Sequence, residues 1–213
     1  MISLLCPTRG RPKDALAMAD SVGNTCRGDV ELIFYVDDDD DTWTETPLGS
    51  FMSELYGPRE GIGKAWNRLT MMAQGDILGM CNDDLRYDTE GWDIAIRDNM
   101  FADGIGIVFA NDGLKKGDHC AFPFVSRRWY ETLGYFVPEH FGFFYHDTWL
   151  YDLAQRVGRI KYLPDIHITH WHNMGDQTAR EARARAGNDG QIWNHTEHLR
   201  AQDADKLREA INE

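Results

Sequence analysis

The sequence predicts an α/β fold with a mostly parallel, mixed sheet flanked by helices, and two observations support this. Short apolar runs indicate buried strands at residues 2–6, 30–36, 76–81 and 105–110, and the run at 30–36 is rich in β-branched and aromatic residues. Apolar residues at helical spacing separate them at residues 13–23 and 61–75. A strand, a helix and a second strand in close succession form a βα unit, and such units build parallel sheets with right-handed crossovers.

The rest of the chain predicts shorter elements. Helices are expected at residues 91–100, 127–133 and 147–157, and strands at residues 120–126, 159–163 and 166–169. From about residue 174 the composition is polar, with Trp193 as its one large aromatic residue, which is typical of surface helices. We therefore expect one Rossmann-like domain over residues 1–173 and a C-terminal helical extension over 174–213, packed on it or flanking it.

Length and composition exclude several classes of protein. A chain of 213 residues buries roughly 70% of its unfolded surface and needs no disulfide or metal to fold. A hydrophobic fraction of 42% excludes intrinsic disorder, and a net charge of −13 disfavours general binding to duplex nucleic acid. No apolar run reaches the roughly 18 residues of a membrane span, and no secretion signal opens the sequence. Four cysteines without a CxxC pair favour a reducing, cytoplasmic location.

Polar clusters follow the predicted strands, directly after each strand ends. The clusters are Thr8-Arg9, Asp37–Asp41, Asn82–Asp84 and Asn111-Asp112. Ligands of open parallel sheets bind at the carboxyl ends of the strands. Carboxylates gathered there repel one another unless they hold a hard cation or accept hydrogen bonds from a ligand. The acidity of the chain is thus concentrated where a metal-dependent binding site is expected.

Four segments, in order, resemble a glycosyltransferase of the GT-A fold, close to the family-2 enzymes. They are ISLLCPTRGRP, VELIFYVDDDDD, GIGKAWNRLTMMAQGDILGMCNDD and HDTWLYDLAQRVGRIKYLPDIHITH. The resemblance covers about residues 2–172, and the segments NDDLRYDTEGWD and THWH are most similar to short glycosyltransferase-like proteins of phages and bacteria. It implies a nucleoside-diphosphate-sugar donor, a divalent metal (Mn²⁺ or Mg²⁺) and an inverting displacement at the anomeric carbon.

The resemblance implies a metal site. Asn82-Asp83-Asp84 stands at the DxD position, although its first residue is not an aspartate. Asp84 is then the metal carboxylate, and Asp83 lies close to the ribose or to a metal-bound water. His170 is implied as a metal ligand, with His172 as its neighbour. The alternative for the acidic residues is an Asx-rich turn that closes a strand.

The resemblance also implies a nucleotide site. Asp37 or Asp39 would accept a hydrogen bond from N3–H of the base, which favours a UDP-sugar. Thr8 and Arg9 would frame the same nucleotide, with Arg9 near the diphosphate and Arg11 as a further candidate. A solvated acidic loop is the alternative for the aspartate run.

Other predicted donor contacts come from one helical turn and one further strand end. Lys64, Asn67 and Arg68 follow a glycine-containing loop, where backbone N–H groups and cations can meet an anion. The alternative is a solvated face of an amphipathic helix. Asp112 ends a strand at the same sheet edge and is a candidate for binding sugar hydroxyls.

Asp147 is the predicted general base. It stands where the resembled family has an acidic pair, and an inverting transfer needs a carboxylate to take the proton of the attacking hydroxyl. Because Asp147 lies at a predicted helix start, a helix N-cap is the alternative, and both roles are compatible only if one oxygen stays available. His146 replaces the other acidic residue of the family pair.

These residues predict a metal-dependent glycosyltransferase, and three alternatives stay open. The departures at Asn82 and His146 leave room for a nucleotide-sugar or metal-binding domain without catalysis. A nucleotidyltransferase would share the sheet and the acidic site but release pyrophosphate. The acceptor hydroxyl belongs to a saccharide or, because of the phage-like segments, to a modified base in DNA. The donor sugar and the oligomeric state are left open by the sequence.

Overall fold

The computed structural model describes residues 1–43, 49–171, 180–181, 183–184 and 186–213. Within them the strands are β1 (Ile2–Thr8), β2 (Val30–Asp37), β3 (Met52–Gly57), β4 (Ile77–Met80), β5 (Leu85–Tyr87), β6 (Ile107–Asn111), β7 (Phe124–Ser126) and β8 (Ile160–His170). The helices are α1 (Pro12–Thr25), α2 (Ile62–Met72), α3 (Trp92–Asn99), α4 (Arg127–Leu133), α5 (His146–Val157), α6 (Asp189–His195) and α7 (Glu197–Asn212). A short 3₁₀ turn covers Asp41–Trp43.

The strands form one mixed sheet in the order β3-β2-β1-β4-β7-β6-β8-β5. Four pairings are parallel, those of β1 with β2 and β4, of β2 with β3, and of β6 with β8. The pairings of β7 with β4 and β6, and of β5 with β8, are antiparallel. The carboxyl ends of β1, β2 and β4 therefore meet at one edge of the sheet, as the polar clusters of the sequence require.

Hydrophobic cores lie on both faces of the sheet. Side chains alternate along a strand, so Leu5 and Ile33 join one core while Leu4 and Phe34 join the other. The first core contains residues of α2, α4, α5 and α7, and the second contains residues of α1 and α3. Burial on both faces explains why β1 and β2 read as continuous apolar runs.

The C-terminal helices pack onto the sheet domain. Ala204 and Leu207 of α7 are buried in the first core together with Leu153 of α5. Arg200 is buried, and its guanidinium lies 3.6 Å from the centroid of the Trp193 ring. The predicted polar tail thus contributes apolar and aromatic contacts to the fold.

The structure differs from the sequence prediction in three strands. Residues 159–163 and 166–169 were expected as two strands but belong to the single strand β8. The register shifts where β8 leaves β6, between Leu163 opposite Ala110 and His167 opposite Asn111. Pro164, which has no N–H to donate, falls in this irregular stretch, where it interrupts no regular ladder. The short edge strands β3 and β5 were not predicted because neither forms an apolar run.

The four cysteines are free thiols, and Cys6, Cys81 and Cys120 are buried. No helix in the described part of the chain is long and apolar enough to cross a membrane.

Candidate functional site

A cleft of about 870 Å³ opens at the carboxyl ends of the central strands. Its lining falls into two sets of side chains. The strand-end group comprises Thr8, Arg9, Arg11, Asp37, Asp83, Asp84, Asp112 and His170. The loop group comprises His119, Phe122 and residues 142–148, which include the first turn of α5. The structure therefore brings eight predicted strand-end residues and the predicted base Asp147 to one cavity.

Asp83 is buried at the floor of the strand-end group. Its Oδ2 accepts a hydrogen bond from Thr8 Oγ1 at 2.8 Å, and its Oδ1 accepts one from Arg11 Nη1 at 2.9 Å. Burial raises the pKa of Asp83 to about 7, against the lowering effect of Arg11 and Thr8. Arg11 Nη1 also lies 3.6 Å from Asp84 Oδ2, so one guanidinium faces both carboxylates of the motif.

Arg9 binds the aspartates that follow β2. Its Nη1 donates to Asp37 Oδ2 at 3.1 Å and also to Asp39, while Arg59 Nε lies 3.7 Å from the same Asp37 oxygen. Burial raises the pKa of Asp37, whereas the hydrogen bond from Arg9 lowers that of Asp39. Asp37 lines the cleft, and the Asp39 side chain is 57% exposed. In this state Arg9 is engaged with the aspartates.

Asp84 and His170 have the spacing of a pair of metal ligands. Asp84 Oδ1 is buried and has no hydrogen-bond partner, yet it lies 3.2 Å from His170 Nε2. Two adjacent ligands of an octahedral ion at about 2.1 Å are about 3 Å apart, so the pair fits Mn²⁺ or Mg²⁺. Asn82 Oδ1 is a further buried oxygen without a hydrogen bond. No cluster of three His, Cys, Asp or Glu side chains suited to a metal occurs among the described residues.

Asp112 lines the cleft but is engaged by its own loop. Its Oδ1 accepts hydrogen bonds from the backbone N–H groups of Leu114 at 2.9 Å and Lys115 at 2.7 Å. This Asx-type turn fixes the loop after β6, and Oδ2 is the oxygen that it leaves for a ligand. His172, the second predicted histidine, lies outside the described residues.

Three predicted donor contacts on α2 do not line the cleft, since Ala65 and Trp66 occupy the face of α2 that does. Asn67 binds the chain before α5: its Oδ1 accepts from the N–H groups of Phe136 and Val137 at 2.9 and 3.1 Å. Arg68 pairs with Glu60. Lys64, Asn67 and Arg68 thus lie outside the cleft lining, because helix phase places them on other faces of α2 than Ala65 and Trp66.

Asp147 lies in the first turn of α5, but it is not the N-cap. That position belongs to Tyr145, whose φ of 72° is in the left-handed region. Asp147 Oδ1 accepts from Thr148 N at 2.7 Å and Thr148 Oγ1 at 3.2 Å, and Oδ2 lies 2.9 Å from His119 Nε2. An ionised carboxylate can only accept, so this hydrogen bond places a proton on His119 Nε2, which donates it. Each carboxylate oxygen has two lone pairs, so Oδ2 keeps one beyond the His119 contact, and Asp147 lines the cleft.

His146 is packed beneath the cleft as a neutral imidazole. Its side chain is 2% exposed, and burial lowers its pKa to about 4. Nδ1 lies 3.2 Å from the carbonyl oxygen of Phe143, and Nε2 is buried without a hydrogen bond. A Cβ on Gly63 would lie 2.6 Å from Nε2, so the glycine allows α2 to approach α5 closely. His146 is placed as a packing residue, in contrast to the acid that it replaces.

The cleft residues that were not predicted from the sequence include His119 and Arg59. His119 lies between β6 and β7 in a stretch without helix or strand periodicity, and Arg59 lies between β3 and α2. The spacing in the sequence between each of these residues and its partner follows no motif or periodicity that would predict the contact. Only the folded chain places His119 beside Asp147 and Arg59 beside Asp37.

Comparison with known proteins bears on the fold. No protein-family model and no curated protein sequence matches the chain. Among solved structures, the mannosyltransferase PcManGT from Pyrobaculum calidifontis, in complex with GDP-Man and Mn²⁺, matches with a TM-score of 0.70 and 15% identity. The match covers 99% of this chain and 74% of the mannosyltransferase. The chain shares the fold of glycosyltransferases.

Two structures of S. aureus TarS 1–349 are also similar in fold to this chain. The complex with UDP has a TM-score of 0.61 at 15% identity and covers 79% of this chain and 59% of TarS 1–349. The complex with UDP-GlcNAc has a TM-score of 0.62 at 13% identity, and the match covers 84% of this chain and 60% of TarS 1–349. This chain thus spans about three fifths of the length of TarS 1–349. The predicted GT-A-type α/β fold with a C-terminal helical tail is confirmed.

Proposed function

We propose that this protein is a metal-dependent glycosyltransferase that moves a sugar from a nucleoside-diphosphate sugar to an acceptor hydroxyl. A UDP-sugar is the favoured donor, and inversion at the anomeric carbon the favoured outcome. One observation carries the proposal: a single cleft holds both the Asp84–His170 pair and the hydrogen-bonded pair of Asp147 and His119. The first pair suits a cation and a diphosphate, and the second suits a proton transfer.

The donor is assigned to the strand-end group. A divalent ion held by Asp84 and His170 would neutralise the charge of the diphosphate leaving group. Arg11, already facing Asp83 and Asp84, is placed to orient the diphosphate beside them. Asp37 supplies an acceptor for an N–H of the base. Support for this donor class comes from the fold, since the similar structures contain GDP-Man with Mn²⁺, UDP, or UDP-GlcNAc.

The acceptor is assigned to the loop group. Its hydroxyl oxygen attacks the anomeric carbon on the face away from the diphosphate, and the bond from that carbon to the diphosphate oxygen breaks as the new bond forms. The hydroxyl proton passes to the lone pair that Thr148 and His119 leave on Asp147 Oδ2. His119, donating from Nε2, fixes the rotamer of Asp147 before the reaction.

The acceptor class follows from the walls of the loop group. Phe143 and Phe144 line the cleft, and Phe144 is 46% exposed. Exposed aromatic faces suit sugar rings, so a saccharide is the first choice. A hydroxylated base in phage-type DNA is the second, disfavoured by the net charge of −13.

The proposal is tested by calorimetry with UDP and GDP, each with and without Mn²⁺, on the unaltered protein and on Asp84→Asn. We expect binding of one nucleotide that requires Mn²⁺ and weakens at least about tenfold in Asp84→Asn, as expected for a lost metal ligand. Asp98→Asn, an exposed change on α3, is the matched control and should bind normally. Product analysis with the matching sugar donor follows.

The outcomes separate the candidate functions. Release of the nucleoside diphosphate with transfer of the sugar to a saccharide panel or to hydroxymethylated DNA supports the transferase. Metal-dependent binding without hydrolysis or transfer supports a binding domain without catalysis. Release of pyrophosphate from a nucleoside triphosphate and sugar phosphate indicates a nucleotidyltransferase, and equal nucleotide binding with and without metal refutes the proposed metal role.

A further inference from the structure

Asp189, in the C-terminal segment, binds the loop that precedes α5. Its side chain is buried, with 3% exposure, and its carboxylate accepts three backbone hydrogen bonds. Gly142 N donates to Oδ1 at 2.7 Å, and Phe143 N and Phe144 N donate to Oδ2 at 2.9 and 2.8 Å. Three consecutive peptide N–H groups thus converge on one anion, and hydrogen bonds to an ionised acceptor are stronger than neutral ones.

The next residue of this loop is held in a strained conformation. Tyr145 has a φ of 72°, which L-residues rarely adopt, and such a conformation persists only where surrounding contacts fix it. Its ring stacks on Trp193, with centroids 5.3 Å apart and an interplanar angle of 23°. Trp193 lies one helical turn after Asp189 in α6, so one short helix holds both the loop backbone and the Tyr145 ring.

The strained residue sets the direction in which α5 starts. Tyr145 is the N-cap of α5, and Asp147 follows two residues later. Residues 142–148 all line the cleft, so a shift in this loop moves both a wall of the cleft and the carboxylate of Asp147. Asp189 does not line the cleft itself.

We infer that Asp189 is a positioning residue, through which the C-terminal segment completes the acceptor side of the cleft by fixing residues 142–145 and the orientation of Asp147. The inference rests on the proposed function for the role of Asp147. On this inference residues 186–195 help to position the site, whereas the sequence predicted only surface helices packed on the domain or flanking it. The donor side is built from other elements, the ends of β1, β2, β4, β6 and β8.

The test is Asp189→Asn, which keeps the shape but offers one acceptor oxygen in place of two. We expect the amides of residues 142–144 to exchange hydrogen at least about tenfold faster, because their shared acceptor is weakened. Transfer should lose about tenfold to 100-fold in kcat, while the UDP–Mn²⁺ Kd stays within about twofold, since a misplaced base slows the chemical step and leaves donor binding intact. Asp205→Asn, on the exposed side of α7 and paired with Arg208, is the matched control and should change neither.

The experiment tests the positioning role of Asp189 whether or not the unaltered protein transfers a sugar. Unchanged amide exchange, or a fall in donor affinity as large as the fall in kcat, overturns it. If the unaltered protein transfers no sugar, the proposed function fails, and the Nε2 resonance of His119, which reports its bond to Asp147, decides the positioning role. That resonance should shift in Asp189→Asn and stay in place in Asp205→Asn, and no shift overturns the inference. If Asp189→Asn does not fold, the same measurements are made on Trp193→Phe. Values unchanged from those of the unaltered protein again overturn the inference.

Discussion

The two groups that line the cleft hold their carboxylates in different ways. In the strand-end group Asp83 faces Arg11 and Asp37 faces Arg9, while Asp112 accepts from backbone N–H groups of its own loop. In the loop group Asp147 is held by the His119 imidazole and by the backbone N–H and hydroxyl of Thr148. A guanidinium offsets the charge of a paired carboxylate, although burial still raises the pKa of Asp83 and of Asp37, whereas Asp147 keeps a lone pair to which a proton can pass. The difference suggests that the first group binds charge and the second reacts.

The sharpest test of this comparison is Asp147→Asn. The amide preserves size and keeps one acceptor oxygen, enough for Thr148, but it cannot take a proton, so kcat should fall about 10²- to 10⁴-fold. Donor affinity should be unchanged, because the strand-end group is intact. Steady-state kinetics together with nucleotide calorimetry measure both quantities. A variant that retains full kcat would remove Asp147 from the chemistry, and Asp98→Asn is the control.

Arg11→Met tests the opposite group. The guanidinium faces two carboxylates, and its side chain is 14% exposed, so its removal leaves Asp83 buried without this cation. Losing one partner of a buried ion pair is strongly destabilising, and we expect the free energy of unfolding to fall by about 3 kcal/mol. Urea unfolding at pH 7 measures it. Arg208→Met, whose exposed pair with Asp205 is worth little, should change the value by less than about 0.5 kcal/mol.

The sequence predicted the strand-end group far better than the loop group, and the reason is physical. A buried strand followed by Asp37 or Asp84 has one geometric outcome, because parallel strands deliver their carboxyl ends to one edge. The helical spacing of Lys64, Asn67 and Arg68 is real, but spacing alone does not tell which side of α2 faces a ligand. The contact of His119 with Asp147 depends on the path of an irregular loop, which no periodicity encodes.

The same contrast holds for the fold. The apolar runs of β1 and β2 are long enough to be recognised, whereas β3 and β5 are edge strands whose place depends on their partners. Asp189 is the strongest example in the site. Its acidic character and helical neighbourhood indicate a solvated residue, and only the packed chain turns it into the shared acceptor of three loop amides.

His146 allows a test of how tightly the loop group is packed. Its pKa of about 4 in the fold lies below the ordinary value of about 6.5, so the unfolded chain binds a proton more strongly between these values. Stability should therefore fall as the pH drops through this window, by about 2 kcal/mol from this group between pH 7 and pH 5. In His146→Asn the free energy of unfolding, measured by urea titration at pH 7 and pH 5, should lose this part of its pH dependence. His198→Asn, an exposed control, should retain it, and equal slopes in all three proteins would contradict the buried neutral imidazole.

The smallest expected effect comes from His119, and it separates orientation from proton transfer. His119→Leu removes the donor to Asp147 Oδ2, and we expect about a tenfold loss of kcat with unchanged donor affinity, the scale of one hydrogen bond to a charged group. Glutamine places its Nε2 near that of histidine, so His119→Gln should recover most of the loss. If His119 itself took the proton, the His119→Gln variant would be as inactive as His119→Leu. The general base of the loop group would then be His119 and not Asp147.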